Sequence, residues 1–83
     1  MNDETPDPLT RKIIAALAEV RGVPPETIRP KASFEELGVD SLDGINLAFA
    51  LEELFDIEIP DEAVQSVRSV AEVAERLRPL VAG

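Results

Sequence analysis

In the stretch LGVDSLDGINLAF, Leu37 to Phe49, a serine stands close to two aspartates in a chain of 83 residues that holds no histidine and no cysteine. A nucleophilic serine needs a base to take its proton, most often histidine. The only lysines, Lys12 and Lys31, sit in no motif that would place them as that base. The neighbouring Asp40 and Asp43 disfavour an alkoxide at Ser41. Ser41 is therefore a poor nucleophile in its own chain, and two readings remain. One is a plain helix cap, for serine is among the best capping residues. The other is an acceptor that a second enzyme modifies. A phosphate ester there would gain from the exposed N–H groups and the dipole of a helix N-terminus.

Calcium is the next chemistry to test, because DSLDGIN is acid-rich and contains a glycine. An EF-hand loop needs glycine at its sixth position and glutamate at its twelfth. Counted from Asp40, glycine falls fifth and Leu51 twelfth; counted from Asp43, Ala48 falls sixth. The pattern fails, and no metal site is expected. No carboxylate pair stands in a pattern that suggests acid–base hydrolysis.

Charge narrows the partners. The chain carries 17 acids against 8 bases, net −9. Ten of the acids, and no base, lie between Ser33 and Glu62. Such a field repels nucleic acid and anionic lipid and draws basic protein surfaces inward. The bland alternative is a solvated acidic face. The longest unbroken apolar run, Ile13 to Ala18, falls far short of the roughly 20 residues that span a bilayer. No membrane insertion and no signal peptide are expected, and a cysteine-free chain fits the cytoplasm.

The elements that must position Ser41 are punctuated clearly. One domain over residues 1–83 is expected, with 1–6 frayed. Asp7-Pro8 is a helix start, and Leu9, Ile13, Ala16, Leu17 and Val20 recur at helical spacing until Gly22. The first helix is predicted over Pro8 to Arg21. Gly22 to Asp40 is a long connection with three prolines, pinned by Ile28, Phe34 and Leu37, with short turns at Pro25 to Ile28 and Ser33 to Leu37. The second helix runs from Ser41 to about Phe55, capped by Asp40 or Ser41, with Asp43 in its first turn. After a break at Asp56 to Pro60, a short helix covers Asp61 to about Gln65. Ser69-x-x-Glu72 reads as a capping box for the last helix, whose stripe is Val70, Val73, Ala74, Leu77 and Leu80, with Pro79 loosening its end. The fold class is all-α: a small four-helix bundle of three longer helices and one short one.

The second helix has two apolar sides. At about 100° per residue, Leu47, Leu51, Leu54 and Phe55 share one side, and Leu42, Ile45 and Phe49 the other. The first is a core stripe. The second, bordered by Glu52 and Glu53, reads as a partner site with an acidic rim, unless the long loop covers it. Gly44, inside the helix, costs ~1 kcal/mol relative to alanine, and close approach of a backbone or ligand is one reason to keep it.

The stretch ASFEELGVDSLDGINLAFALEELFDIEIPDE, Ala32 to Glu62, resembles the acyl carrier protein family. Asp40-Ser41-Leu42 matches that family's attachment motif, in register with SFEELG before it and FDIEIPDE after it. The resemblance implies that Ser41 carries 4′-phosphopantetheine, taken from coenzyme A by a phosphopantetheinyl transferase. The prosthetic thiol would hold acyl chains as thioesters, so the protein would be a monomeric shuttle and not a catalyst. Synthases and acyl-transferring enzymes with basic patches would dock on Asp43, Ile45, Asn46, Phe49, Glu52 and Glu53. The bound chain could enter the bundle, with Phe34, Leu51, Leu54, Ile59 and Ala63 as candidate pocket lining; their simpler reading is core packing.

The departures bear on pathway. Housekeeping fatty-acid carriers usually have glutamate at Asn46, methionine at Phe49, a threonine-like residue at Gly44, and one more residue between the SF and LG elements. These differences leave the carrier chemistry intact and lean towards a polyketide or specialised lipid pathway over central fatty-acid synthesis. Two other functions stay open: a peptidyl or aminoacyl carrier, and an unmodified acidic helical adaptor in which Ser41 is only a cap.

Overall fold

The computed structural model describes residues 7–81, with the backbone alone at 61, 64 and 65. The expected frayed segment 1–6 lies outside the described residues. Four helices follow in order, α1 (Pro8–Arg21), α2 (Ser41–Phe55), α3 (Asp61–Ser66) and α4 (Val70–Val81), with a 3-10 turn at Pro25–Thr27. The described residues form no strand; Ser33 and Ser69 make one isolated bridge.

Local signals set these boundaries. At α1, the Asp7 carboxylate accepts the Thr10 N–H at 3.0 Å, and Pro8 enters where its missing donor costs nothing. Gly22 ends the helix in the left-handed region, φ 69°, and its N–H and that of Val23 both donate to the Ala18 carbonyl. At the end of α2 the same conformation is taken by Asp56, φ 57°. Aspartate tolerates it better than most side chains do.

One expectation at α4 needs correction. The Ser69 hydroxyl accepts the Glu72 N–H at 3.2 Å, but the Glu72 carboxylate accepts from Arg68 N–H at 2.8 Å, one residue before Ser69. The box is thus displaced by one residue, because the loop before α2 runs against this turn. Phe34 N–H donates to the Arg68 carbonyl at 2.7 Å, and Ala71 N–H to the Pro30 carbonyl at 2.9 Å. Pro79 lies inside the last turn of α4, which continues through it to Val81. In the last turn a proline removes one hydrogen bond and can be carried.

The core lies where α1 packs on α2 and α4. Ile13, Leu17, Leu51 and Val70 are fully enclosed, with Ile14, Ala18, Ile28, Leu47, Val73, Ala74 and Leu77 around them. The buried arc of α1 is wider than the expected stripe and takes in Thr10, Ile14 and Ala18, since this helix faces two neighbours at once. Each large side chain buried here contributes about 1.5–3 kcal/mol. The long connection is tied down as expected: Ile28 is buried, and Phe34 and Leu37 pack against the core. No helix among the described residues is long and apolar enough to cross a membrane.

The two sides of α2 separate as expected, with one exception. Leu47 and Leu51 are buried, while Leu42, Ile45 and Phe49 are exposed. Leu54 shares the side of Leu47 yet is 53% exposed. It sits in the last turn, where its neighbour Phe55 takes the contact with the core.

Candidate functional site

Ser41 is the first residue of α2, and it is exposed. The cap is Asp40: its Oδ1 accepts the Asp43 N–H at 2.9 Å, and Asp43 Oδ2 accepts the Asp40 N–H at 3.4 Å. The reading of Ser41 as the cap is thereby overturned. Its side chain starts one residue too late to turn back on the first turn. Among the described residues nothing hydrogen-bonds to the Ser41 hydroxyl, and the N–H groups of Ser41 and Leu42 likewise have no partner. An exposed primary hydroxyl and two open amide donors thus meet at a helix N-terminus, where a phosphate is favoured.

Beside Ser41 a cavity of about 860 Å³ opens between α2, α4 and the α2–α3 segment. That is at the upper end for small-molecule sites, in a domain of only 83 residues. α1 packs closely on α2 and on α4. Contact between α2 and α4 themselves is slight, and the cavity occupies that gap. Ser41 and Gly44 stand on its wall at the helix start, Val73 and Leu77 face them from α4, and Ile59 and Ala63 close it from the side.

Of the five candidate pocket residues, Phe34, Leu51, Ile59 and Ala63 line this cavity. Leu54 does not; it is exposed at the far end of α2, which corrects its assignment to the pocket. Ile45 and Phe49, expected on a separate docking face, also reach the cavity rim. The two features therefore adjoin, whereas the helical wheel places them on opposite sides.

The candidate docking residues divide. Ile45, Asn46, Phe49 and Glu53 are exposed. Asp43 is held by Arg21, whose Nη1 donates to Asp43 Oδ2 at 3.0 Å. Glu52 is turned inward: its Oε2 accepts the Ile59 N–H at 2.8 Å and tethers the α2–α3 segment. Its expected place on the docking rim is corrected accordingly. Sequence reading missed Arg21, and missed Arg76 and Leu80 on the cavity wall. No local signal could have found them, because each depends on where another helix lies.

Residues 11–77 match the family described as "Phosphopantetheine attachment site". The chain is 46% identical over 67 residues to an "Acyl carrier protein" of Syntrophobacter fumaroxidans, covering 80% of this chain and 83% of that one. It is 41% identical over 75 residues to an "Acyl carrier protein" of Thermosynechococcus vestitus, covering 89% and 93%. It is 43% identical over 67 residues to an "Acyl carrier protein" of Bdellovibrio bacteriovorus, covering 80% and 86%.

Proposed function

This chain belongs to the acyl carrier protein family, and from that premise we propose that Ser41 is its attachment point for 4′-phosphopantetheine. The protein is a carrier and not an enzyme. The observation that carries the assignment is the free Ser41 hydroxyl beside the cavity, with capping left to Asp40. The residues fit the group. The open N–H groups of Ser41 and Leu42 suit a phosphodiester, and a flexible arm on Ser41 has an apolar cavity within reach. When bound, the group supplies a thiol on which acyl chains ride as thioesters. Phe34, Leu51, Ile59 and Ala63 then shelter the cargo from water.

Residues 1–83 form one carrier-type domain that works as a cytoplasmic monomer. The attachment enzyme is a phosphopantetheinyl transferase. Basic patches on it and on the synthases dock over Ile45, Asn46, Phe49 and Glu53, which are exposed within the acidic block. Neutral Asn46 and bulky Phe49 favour a polyketide or specialised lipid pathway. The adaptor alternative loses its premise, since Ser41 is not the cap.

The test is intact-protein mass after incubation with coenzyme A, magnesium and a broad-specificity transferase, beside Ser41→Ala. A gain of one phosphopantetheine in the wild type alone is expected. A gain in Ser41→Ala, or none in a folded wild type with several transferases, would sink the assignment.

A further inference from the structure

The capping box at the start of α2 is built from two anions. Such boxes commonly pair a neutral serine or threonine with glutamate or glutamine. Here Asp40 and Asp43 each accept the other's backbone N–H, so two like charges are held within one turn, on either side of Ser41. Like charges this close on a helix repel.

One cation answers them. Arg21, the last residue of α1, donates from Nη1 to the same Asp43 Oδ2 that closes the box. Among the described residues no other base pairs with Asp40 or Asp43. The two side chains retain 33% and 18% exposure, so water screens the pair only in part. The guanidinium also lies across Gly38, whose φ is +76°. A Cβ added there would stand 3.0 Å from Arg21 Nη2. One side chain thus joins three points: the end of α1, the loop at Gly38 and the first turn of α2.

We infer that Arg21 is a positioning residue for Ser41, acting through Asp43 and Asp40. It offsets the repulsion inside the two-aspartate box and so holds the first turn of α2 in the form that presents the Ser41 hydroxyl. Gly38 suits this turn because its φ of +76° favours glycine, and a Cβ there would also crowd the end of the Arg21 side chain. This role rests on the proposal that Ser41 is the attachment point.

The test compares the unmodified protein with Arg21→Gln and Arg21→Lys. The first readout is amide hydrogen exchange at Asp43 and Gly44, against Ala74 in α4 as a core reference. The second is kcat and KM for phosphopantetheine transfer from coenzyme A onto Ser41. In Arg21→Gln, exchange at Asp43 and Gly44 rises about two- to five-fold, the factor an ion pair of this exposure supports, with Ala74 unchanged. The kcat falls by a similar factor, while KM holds or drops as Asp43 is unmasked. Arg21→Lys recovers most of both. Unchanged exchange at Asp43 in Arg21→Gln overturns the inference, as does an unchanged kcat or a rise at Ala74 equal to that at Asp43. If Ser41→Ala still accepts the group, the attachment proposal fails and the role towards Ser41 falls with it. The exchange arm still decides whether Arg21 holds the box.

Discussion

Arg21 and Asp43 stand 22 positions apart in sequence and 3.0 Å apart in space. The pair closes the long connection by tying the end of α1 to the third residue of α2. It also changes the character of the acidic block, since one of its carboxylates meets an arginine of the protein itself before it meets any partner.

Because Asp40 supplies the cap, the two neighbours should differ in what their removal costs. Asp40→Ala is expected to cost about 1 kcal/mol of stability, the usual value of a lost N-cap. Ser41→Ala should stay within about 0.5 kcal/mol of the wild type, as surface changes away from special features do. Urea denaturation of both variants decides this. Equal costs would restore Ser41 as a capping residue.

Two leucines of contrasting burial make a second comparison. Leu17 is fully enclosed, and Leu17→Ala should cost about 2–5 kcal/mol. Leu54 is 53% exposed, and Leu54→Ala should cost well under about 1 kcal/mol. A Leu54 variant as damaged as the Leu17 one would show that Leu54 is covered in solution.

Asp7 predicts an acid response. Its carboxylate accepts the Thr10 N–H and pairs with Arg78 at 2.6 Å, which lowers its pKa from 3.8 to about 2. Folding therefore favours the charged form. The stabilisation is complete above pH 3.8 and disappears as pH falls through the window down to about 2. Carboxyl-carbon titration by NMR should place Asp7 below the ordinary aspartates. The stability gap between wild type and Asp7→Asn should narrow across the same window. A gap that persists at the acid end would mean that the asparagine variant loses something other than charge.

Salt should stabilise this protein. Ten carboxylates lie between Ser33 and Glu62 with no base among them. Their mutual repulsion is screened as ionic strength rises. The two ion pairs weaken at the same time, but exposed pairs are worth at most about 1 kcal/mol each. Repulsion is the larger effect, so Tm should climb from low to moderate salt. A flat or falling Tm would mean that the two pairs outweigh the acidic block.

Much of the scaffold was legible because its signals are short-range. Asp7-Pro8, Gly22, Asp40 and Pro60 act on backbone groups within about four residues, so helix ends follow from neighbours in the chain. The Asp-Ser-Leu motif and the exposed strip of Leu42, Ile45 and Phe49 were legible for the same reason. A helix carries its own periodicity wherever it is placed. What the chain alone did not reveal depends on placement. Leu54 has an angle close to that of the core residues, yet its neighbour Phe55 takes the contact with the core. Glu52 looks like a rim charge until the α2–α3 segment offers it the Ile59 N–H. The cavity beside Ser41 exists because α1 holds α2 and α4 while leaving a gap between them. The chain by itself determined the helices, the motif and the charge. Only the tertiary structure decided which carboxylates remain free for a partner and where a bound chain could go, because those follow from contacts between residues far apart in sequence.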